Sequence, residues 1–449
     1  MRNIVRLFYL DLFLSKRFFI AWGITAFLFL LAYFFPWLGF LPYIAALTTT
    51  LILLADIALL YAVKNGGVVS TRIAPARLSN SDNNEIFITS NNRYPFTVKI
   101  GIIDEIPYQF QKRDIWFERA LEVKERSTFS YQLRPVKRGL YSFGKLRTFV
   151  QSPIGFIQRR FNEDAEANVP VYPSFLQMRK YEMLAISNRL TDYGLKKIRR
   201  LGHSMEFEQI KAYVQGDDYR TLNWKASARQ GSLMVNSYID ERSQHIYCII
   251  DKSRAMKMPF HGLSLLDYAI NASLVLANIA LKKEDKAGLI TFAEQIGTVL
   301  PADRRSTQLN YIMEALYKEK TRYLESNLEI LYSTVRHTLR QRSLIILFTN
   351  FESVSALNRQ LPYLKKIAKY HLLVVIFFEN IEVKSLSQEK AESIEGIYLK
   401  TIAEKFVYEK KLLVRELARH GIQSVLTPPE HLTVNTINKY LEIKAKQRI

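Results

Sequence analysis

A chain of 449 residues with a formal net charge of +21, from 63 basic and 42 acidic side chains, has room for two to three domains. That balance is too basic to work without an anionic neighbour such as lipid headgroups, nucleic acid or an acidic protein face. Its 48% hydrophobic and 23% charged residues suit folded cores and exclude a disordered chain. The single cysteine, Cys248, excludes an internal disulfide framework, and with only seven histidines the usual Cys–His zinc spacings are absent. A reducing compartment follows, with Cys248 a small hydrophobe in an apolar run.

Residues 1–17 mix Arg2, Arg6, Lys16 and Arg17 with large apolar side chains, the pattern of an amphipathic helix at a membrane surface. From Phe18 to Val63 there is no lysine or arginine and a single acid, Asp56. The length suits two spans of roughly 20 residues each, so helices are predicted near 18–35 and 43–63 around a turn at Pro36–Pro42. The apolar region is too long for a cleavable signal peptide. Basic flanks, Lys16 and Arg17 before the hairpin and Lys64, Arg72 and Arg77 after it, imply an inner-membrane protein with both termini and the soluble domains in the cytoplasm. A basic soluble part beneath anionic lipid is also attracted to it, so membrane lipid is one partner. Asp56 is open to two readings, a functional intramembrane acid or one paired near the basic end of its helix.

Residues 64–172 show short alternating runs such as Glu85–Thr89, Phe96–Ile102 and Ser127–Leu133 between polar turns, which predicts an all-β sandwich. Arg138–Tyr141 and Ser152–Gly155 read as turns between its last strands. Residues 173–243 form a linker region whose first part is helical and carries Lys196, Lys197, Arg199 and Arg200. Aromatic interleaving there is too thin for base stacking, which argues against nucleic acid. Residues 244–449 alternate apolar strands and amphipathic helices, the order of a doubly wound, mostly parallel sheet. Ligands in such folds gather at the carboxyl ends of strands, which directs attention to Asp251, Ser253, Thr349 and Asn350.

Phe207–Asp251 is the stretch densest in side chains that need partners. Gly216, Asp217 and Asp218 make an acidic turn, and Tyr219–Arg229 has helical spacing with Gly231 placed as its C′ residue. A helix of about three turns is predicted. Clustering of Asp217, Asp218, Arg220, Asn223, Trp224, Lys225 and Arg229 suggests a partly buried, paired network, with Trp224 as a packing anchor. Two carboxylates and an arginine could perform hydrolysis or phosphate chemistry. Without a histidine base, a nucleophile pattern or a phosphate loop beside them, a clamp between domains is the simpler reading.

Gly202, Glu206, Phe207, Tyr213, Gly216, Asp217, Asp218, Arg220, Asn223, Trp224, Ser227, Ala228, Arg229, Tyr238, Glu241 and Asp251 together resemble the signature of the bacterial family called domain of unknown function fifty-eight. The resemblance implies a two-helix transmembrane hairpin, an all-β sandwich domain and a C-terminal von Willebrand factor A-like (Rossmann-type) α/β domain. It also implies association with MoxR-type AAA ATPases. A von Willebrand A domain can hold a divalent cation through a D-x-S-x-S loop, a threonine and a later acid. The corresponding positions here are Asp251, Ser253, Thr307 and Asn350, with Ala255 in place of the second serine and a neutral Asn350 in place of the acid. Lys252 and Arg254 add positive charge to the same loop, which disfavours Mg²⁺. Lys211 stands where the family usually has arginine.

The leading expectation is therefore a non-enzymatic, membrane-anchored scaffold that works with a MoxR-like ATPase in envelope or complex assembly. The alternatives are a metal-dependent ligand-binding protein using the degenerate Asp251 site, or a hydrolase using Asp217 and Asp218.

Overall fold

The computed structural model describes residues 11–63, 67–112, 115–186, 206–215, 217, 219–239, 243–389 and 393–446. The chain forms two compact units, Met1–Tyr172 and Pro173–Ile449.

In the first unit a short strand, β1 (Leu12–Leu14), runs directly into helix α1 (Lys16–Phe34). The amphipathic helix expected over residues 1–17 is thus corrected in its last part, while residues 1–10 lie outside the described residues. Ser15 stops the strand and starts the helix, because its extended backbone serves as N-cap. A 3₁₀ turn at Pro36–Leu38 leads to α2 (Leu41–Tyr61), where Pro36 and Pro42 each occupy a first-turn position that tolerates a missing N–H. Both helices are long and apolar enough to cross a membrane, with only 6% and 11% of their apolar windows buried in protein. Helices apolar all round and this exposed need a non-aqueous solvent, which points to a membrane protein.

Ten further strands follow: β2 (Val68–Ile73), β3 (Leu78–Ser79), β4 (Asn84–Asn92), β5 (Val98–Asp104), β6 (Trp116–Leu121), β7 (Arg126–Leu133), β8 (Gly139–Phe143), β9 (Leu146–Gln151), β10 (Ile157–Glu163) and β11 (Ala167–Tyr172). They pair as β1-β10-β9-β5-β6, β2-β4-β7 and β3-β11-β8. Every second side chain points inward, as with Val98, Ile100 and Ile102, and these meet Leu60, Val68, Ile88 and Val150 in one core. A second core gathers Leu78, Ile86, Leu133, Tyr141 and Val171. Between the sheets, Arg72 forms a buried pair with Asp104, which also accepts the Tyr131 hydroxyl.

Asp56 joins the spans to this sandwich. It is fully buried near the end of α2. Its carboxylate accepts the Ser152 hydroxyl and the backbone N–H groups of Phe156 (2.7 Å) and Ile157 (2.9 Å). The same turn is held from α1, where Ser15 Oγ donates to Gly155 O (2.6 Å) and Arg17 to Ile154 O (3.2 Å). Gly155 has φ +76, and a side chain there would strike Arg17 and Gln151. Leu60 O near the end of α2 accepts from Tyr94 Oη (2.9 Å) and Arg159 (2.7 Å).

The second unit begins with α3 (Phe175–Ile186), β12 (Glu206–Ala212), α4 (Trp224–Gln230) and β13 (Met234–Ile239). The basic cluster Lys196–Arg200 lies outside the described residues. Strand β14 (His245–Asp251) and a small hairpin, β15 (Pro259–Phe260) with β16 (Leu263–Ser264), precede α5 (Leu265–Lys282). Ser264 and Asp267 form a reciprocal capping box at the start of that helix. Next come β17 (Lys286–Phe292), β18 (Ile296–Asp303), α6 (Gln308–Lys318), α7 (Leu328–Thr338), β19 (Leu344–Phe348), α8 (Val354–Tyr370) and β20 (Leu372–Phe378). The chain closes with α9 (Ile381–Gln388), α10 (Ile394–Arg419), β21 (Gln423–Thr427) and α11 (Leu432–Ala445).

The sheet order is β18-β17-β14-β19-β20-β21, parallel except for β18 at one edge. Its strands are continuous apolar runs because both faces are covered. Helices α7, α8 and α10 bury Leu331, Leu364 and Leu417 against Ile249, Ile345 and Val375 on one face. Helices α5 and α11 pack together on the other, where Cys248 meets the Ser273 carbonyl. Helix α5 matches the spans in apolarity, but 78% of its window is buried, which makes it a core helix. Near its end, Asp285 receives Tyr440 Oη (2.6 Å) and Lys444 Nζ (2.9 Å), latching α11 in place.

Removing the Asp56 carboxylate leaves three buried donors unpaired, so Asp56→Ala is expected to destabilise the first unit by on the order of 3 kcal/mol. Asp56→Asn can still accept both backbone N–H groups and is expected to cost about 1 kcal/mol. Thermal unfolding of the detergent-solubilised chain separates the two variants, and equal melting of Asp56→Ala and wild type overturns the assignment.

Candidate functional site

The signature stretch folds as a β-ribbon. β12 and β13 pair antiparallel with a shift of register between Phe207 and Gln209. Asp217 closes the turn after β12, accepting Val214 N–H (3.0 Å) and pairing with Lys211 Nζ (2.9 Å). Lys211, then the Val214 amide, hold its carboxyl below the usual aspartate range. Tyr213 N–H donates to Leu233 O (2.8 Å), keeping the strands in register.

The three-turn helix expected over Tyr219–Arg229 is corrected to a 3₁₀ turn at Tyr219–Thr221 followed by α4, seven residues long. The cause is Asn223, whose Oδ1 captures Ala226 N–H (3.0 Å) and sets the helix start there, while its Nδ2 donates to Asn236 (2.8 Å). Leu222 meanwhile bridges to Val235 of β13. Ser227 Oγ donates to Asn223 O (2.8 Å) and accepts Met234 N–H (2.9 Å), and Gly231 at φ +68 ends the helix.

Trp224 is 70% exposed, so the expectation of a packing anchor is corrected. Arg220 lies over the exposed Tyr219 ring, and Lys225 and Arg229 are exposed. Among the described residues, Asp217 and Asn223 are half-buried and paired, while Trp224, Lys225 and Arg229 stand at the surface. Asp217, Asn223 and Ser227 find hydrogen-bond partners within the ribbon, which lies in the second unit. Gly216, Asp218 and Glu241 lie outside the described residues, as do the side chains of Glu206, Phe207 and Tyr238.

At the carboxyl end of the sheet, Asp251 is fully buried. Its Oδ1 accepts Ser253 N–H (2.8 Å) and its Oδ2 accepts the Thr349 hydroxyl (2.7 Å). Burial pushes the Asp251 carboxyl up, against those hydrogen bonds, which favour the charged form. Lys252 turns away and pairs with buried Glu319 (2.7 Å), which also accepts the Thr291 (2.7 Å) and Thr298 (2.8 Å) hydroxyls. Asn350 Oδ1 is taken by Lys410 Nζ (2.8 Å), and its Nδ2 donates to Ala255 O (3.4 Å).

Thr307 is corrected. The antiparallel register sets Asp303 beside Ala287, whereas Asp251 sits beside Phe292, so Thr307 falls at the opposite end of the sheet. Three of the four candidate residues, Asp251, Ser253 and Asn350, gather at one end, with one carboxylate among them. These residues do not fit a Mg²⁺ ion, which takes several oxygen ligands and favours carboxylates. Among the described residues no group of three or more His, Cys, Asp or Glu side chains could hold a metal.

Sequence reasoning missed Lys410. The signal was present: Ala403, Phe406, Lys410, Leu413 and Leu417 share one stripe of α10, and a lysine interrupting an apolar stripe needs a reason. Lys410 also donates to Phe351 O (2.6 Å), and burial pulls its ammonium pKa down to about 8, opposed by Glu352. It lines a cleft of about 270 Å³ beside the ends of β19 and β20, with Phe260, Leu265, Phe378, Val383 and Phe406 as apolar walls.

Asn223→Ala removes a helix cap and is expected to cost about 1 kcal/mol, whereas Trp224→Ala should cost less than about 0.5 kcal/mol in the same urea titration. Because the folded pKa of Asp251 is raised, its ionised form destabilises the fold above the unfolded value near 4, and that penalty vanishes as pH falls. Asp251→Asn can keep both contacts with the Thr349 hydroxyl reversed. It is therefore expected to raise the urea midpoint at pH 8, with the advantage shrinking towards pH 4. A lower midpoint at pH 8 contradicts this account.

Residues 209–384 match the family described as "Protein of unknown function DUF58". A curated relative, "Uncharacterized protein YeaD" of Bacillus subtilis (strain 168), is 24% identical over 232 residues, 49% of this chain and 54% of that protein. The match thus spans about half the length of that relative. Among solved structures, the hypothetical protein BatB from Bacteroides thetaiotaomicron is similar at 15% identity and TM-score 0.30 over 45% of this chain and 100% of that one. The CARDB domain of PF1109 from Pyrococcus furiosus gives 12% identity and TM-score 0.16 over 23% of this chain and 86% of that one. At these scores neither structural likeness carries an argument about fold. The family match runs from the ribbon through β20 of the large sheet, leaving β21 and the first unit outside it.

Proposed function

We propose that this is a membrane-anchored interaction protein rather than an enzyme. Its two spans hold it in the inner membrane with both termini and both soluble regions in the cytoplasm. Its C-terminal α/β unit presents the strand-end face to a protein partner, a MoxR-like AAA ATPase. The observation that carries the reading is the chemistry of that face. Asp251 is enclosed by Thr349 and Ser253, Lys252 is neutralised by Glu319, and an open apolar cleft lies beside them. An open apolar surface of this kind suits recognition of a partner better than turnover of a substrate.

The sheet order, with one antiparallel edge strand and the winding reversed between β14 and β19, supports a von Willebrand factor A-like reading of residues 244–449. So does the Asp251-x-Ser253 loop after the first strand of that sheet. Positively charged flanks beside the spans support the cytoplasmic orientation.

Chemical cross-linking in native membranes, followed by affinity capture through the second unit, is expected to retrieve an AAA ATPase. Repeated capture with neither an ATPase nor an envelope protein overturns the proposal.

A further inference from the structure

The cleft at the ends of β19 and β20 has a composition that selects its occupant. Its walls are apolar, formed by Phe260, Leu265, Phe378 and Val383. Lys410, which lines it, uses two of its three N–H donors on Asn350 Oδ1 and Phe351 O. The remaining donor suits a carbonyl oxygen. At the mouth stands exposed Glu352, while Glu379 is matched by Lys384 at 3.1 Å. Glu352 is close enough to act on Lys410 yet leaves its carboxylate open to solvent, where a positive group on the ligand can meet it.

Apolar surface continues beyond the cleft along α10, where Phe406 and Leu399 are 51% and 50% exposed, further than a small ligand reaches. An apolar hole, one donor for a carbonyl and one acid beside them match a polypeptide segment. Its bulky apolar side chain fills the hole, its main-chain oxygen meets the amine, and a neighbouring Arg or Lys meets the acid.

We propose that this cleft is the docking point for a partner segment carrying a bulky apolar anchor next to a basic residue, with Lys410 and Glu352 as its polar contacts. The assignment rests on the interaction reading above and names the site and the chemistry of the partner.

The test uses the full chain in lipid nanodiscs and ligand-observed saturation-transfer NMR with three blocked tetrapeptides: Gly-Phe-Arg-Gly, Gly-Phe-Glu-Gly and Gly-Ala-Arg-Gly. The Phe-Arg peptide is expected to bind at least about tenfold more tightly than either of the others. Val383→Trp, which fills the cleft, should abolish that binding. Glu352→Lys, a surface change that leaves the core intact, should reverse the preference in favour of Phe-Glu. Unchanged binding to Val383→Trp, or an order of affinities indifferent to Glu352→Lys, overturns the proposal. If native-membrane cross-linking captures the ATPase equally well from both variants, the interaction reading stands and the cleft assignment falls. An empty capture with peptide selectivity intact supports the cleft and removes the ATPase.

Discussion

A buried carboxylate on an apolar helix is costly unless it is fully hydrogen-bonded, and Asp56 meets that condition by taking its donors from another part of the fold. The Phe156 and Ile157 N–H groups that follow the turn Ser152–Gly155 need a buried acceptor, and the acid of α2 needs buried donors. Each solves the other's desolvation problem. Ser15, Arg17, Tyr94 and Arg159 then fasten both helices to the same strands. The hairpin and the sandwich are thereby one folding unit, in which Leu60 of the span belongs to the same core as Ile100 of the sheet.

The second unit follows a different logic. Its strands are buried on both faces, so its chemistry is confined to loops at the strand ends. There Lys252 of the first loop is neutralised by Glu319, while the neutral amide oxygen of Asn350 accepts from an ammonium on α10. Lys410 thus sits against the neutral residue where the family resemblance puts an acid. A fixed internal amine and a divalent cation differ in what they ask of a partner. A cation seeks an anionic ligand, whereas an amine with most of its donors spent on the protein seeks a single oxygen set in apolar surroundings.

Much of this was legible in the residues. The absence of any basic side chain from Phe18 to Val63 marks the spans, and the alternation in Val98–Ile102 marks strands, because both patterns follow directly from which solvent a face meets. Runs such as Leu344–Phe348 gave the buried strands in the same way. What was not legible depended on single competing contacts. Asn223 outcompetes the acidic turn as the helix start, and Ser15 converts the end of an apparent helix into a strand. Trp224 reads as core from its type alone, yet it stands exposed on α4. The place of Thr307 depended on β18 being antiparallel, a reversal that puts neighbours in sequence at opposite ends of the sheet.

One residue, Ser15, separates the end of β1 from the start of α1. With no more than about 3.4 Å of chain between a hydrogen-bonded strand and a membrane helix, there is no slack at this junction. The sandwich cannot swivel on a tether as a linked domain does. A force on its outer edge passes directly to the two apolar helices, which makes the first unit a stiff lever rather than a flexible anchor.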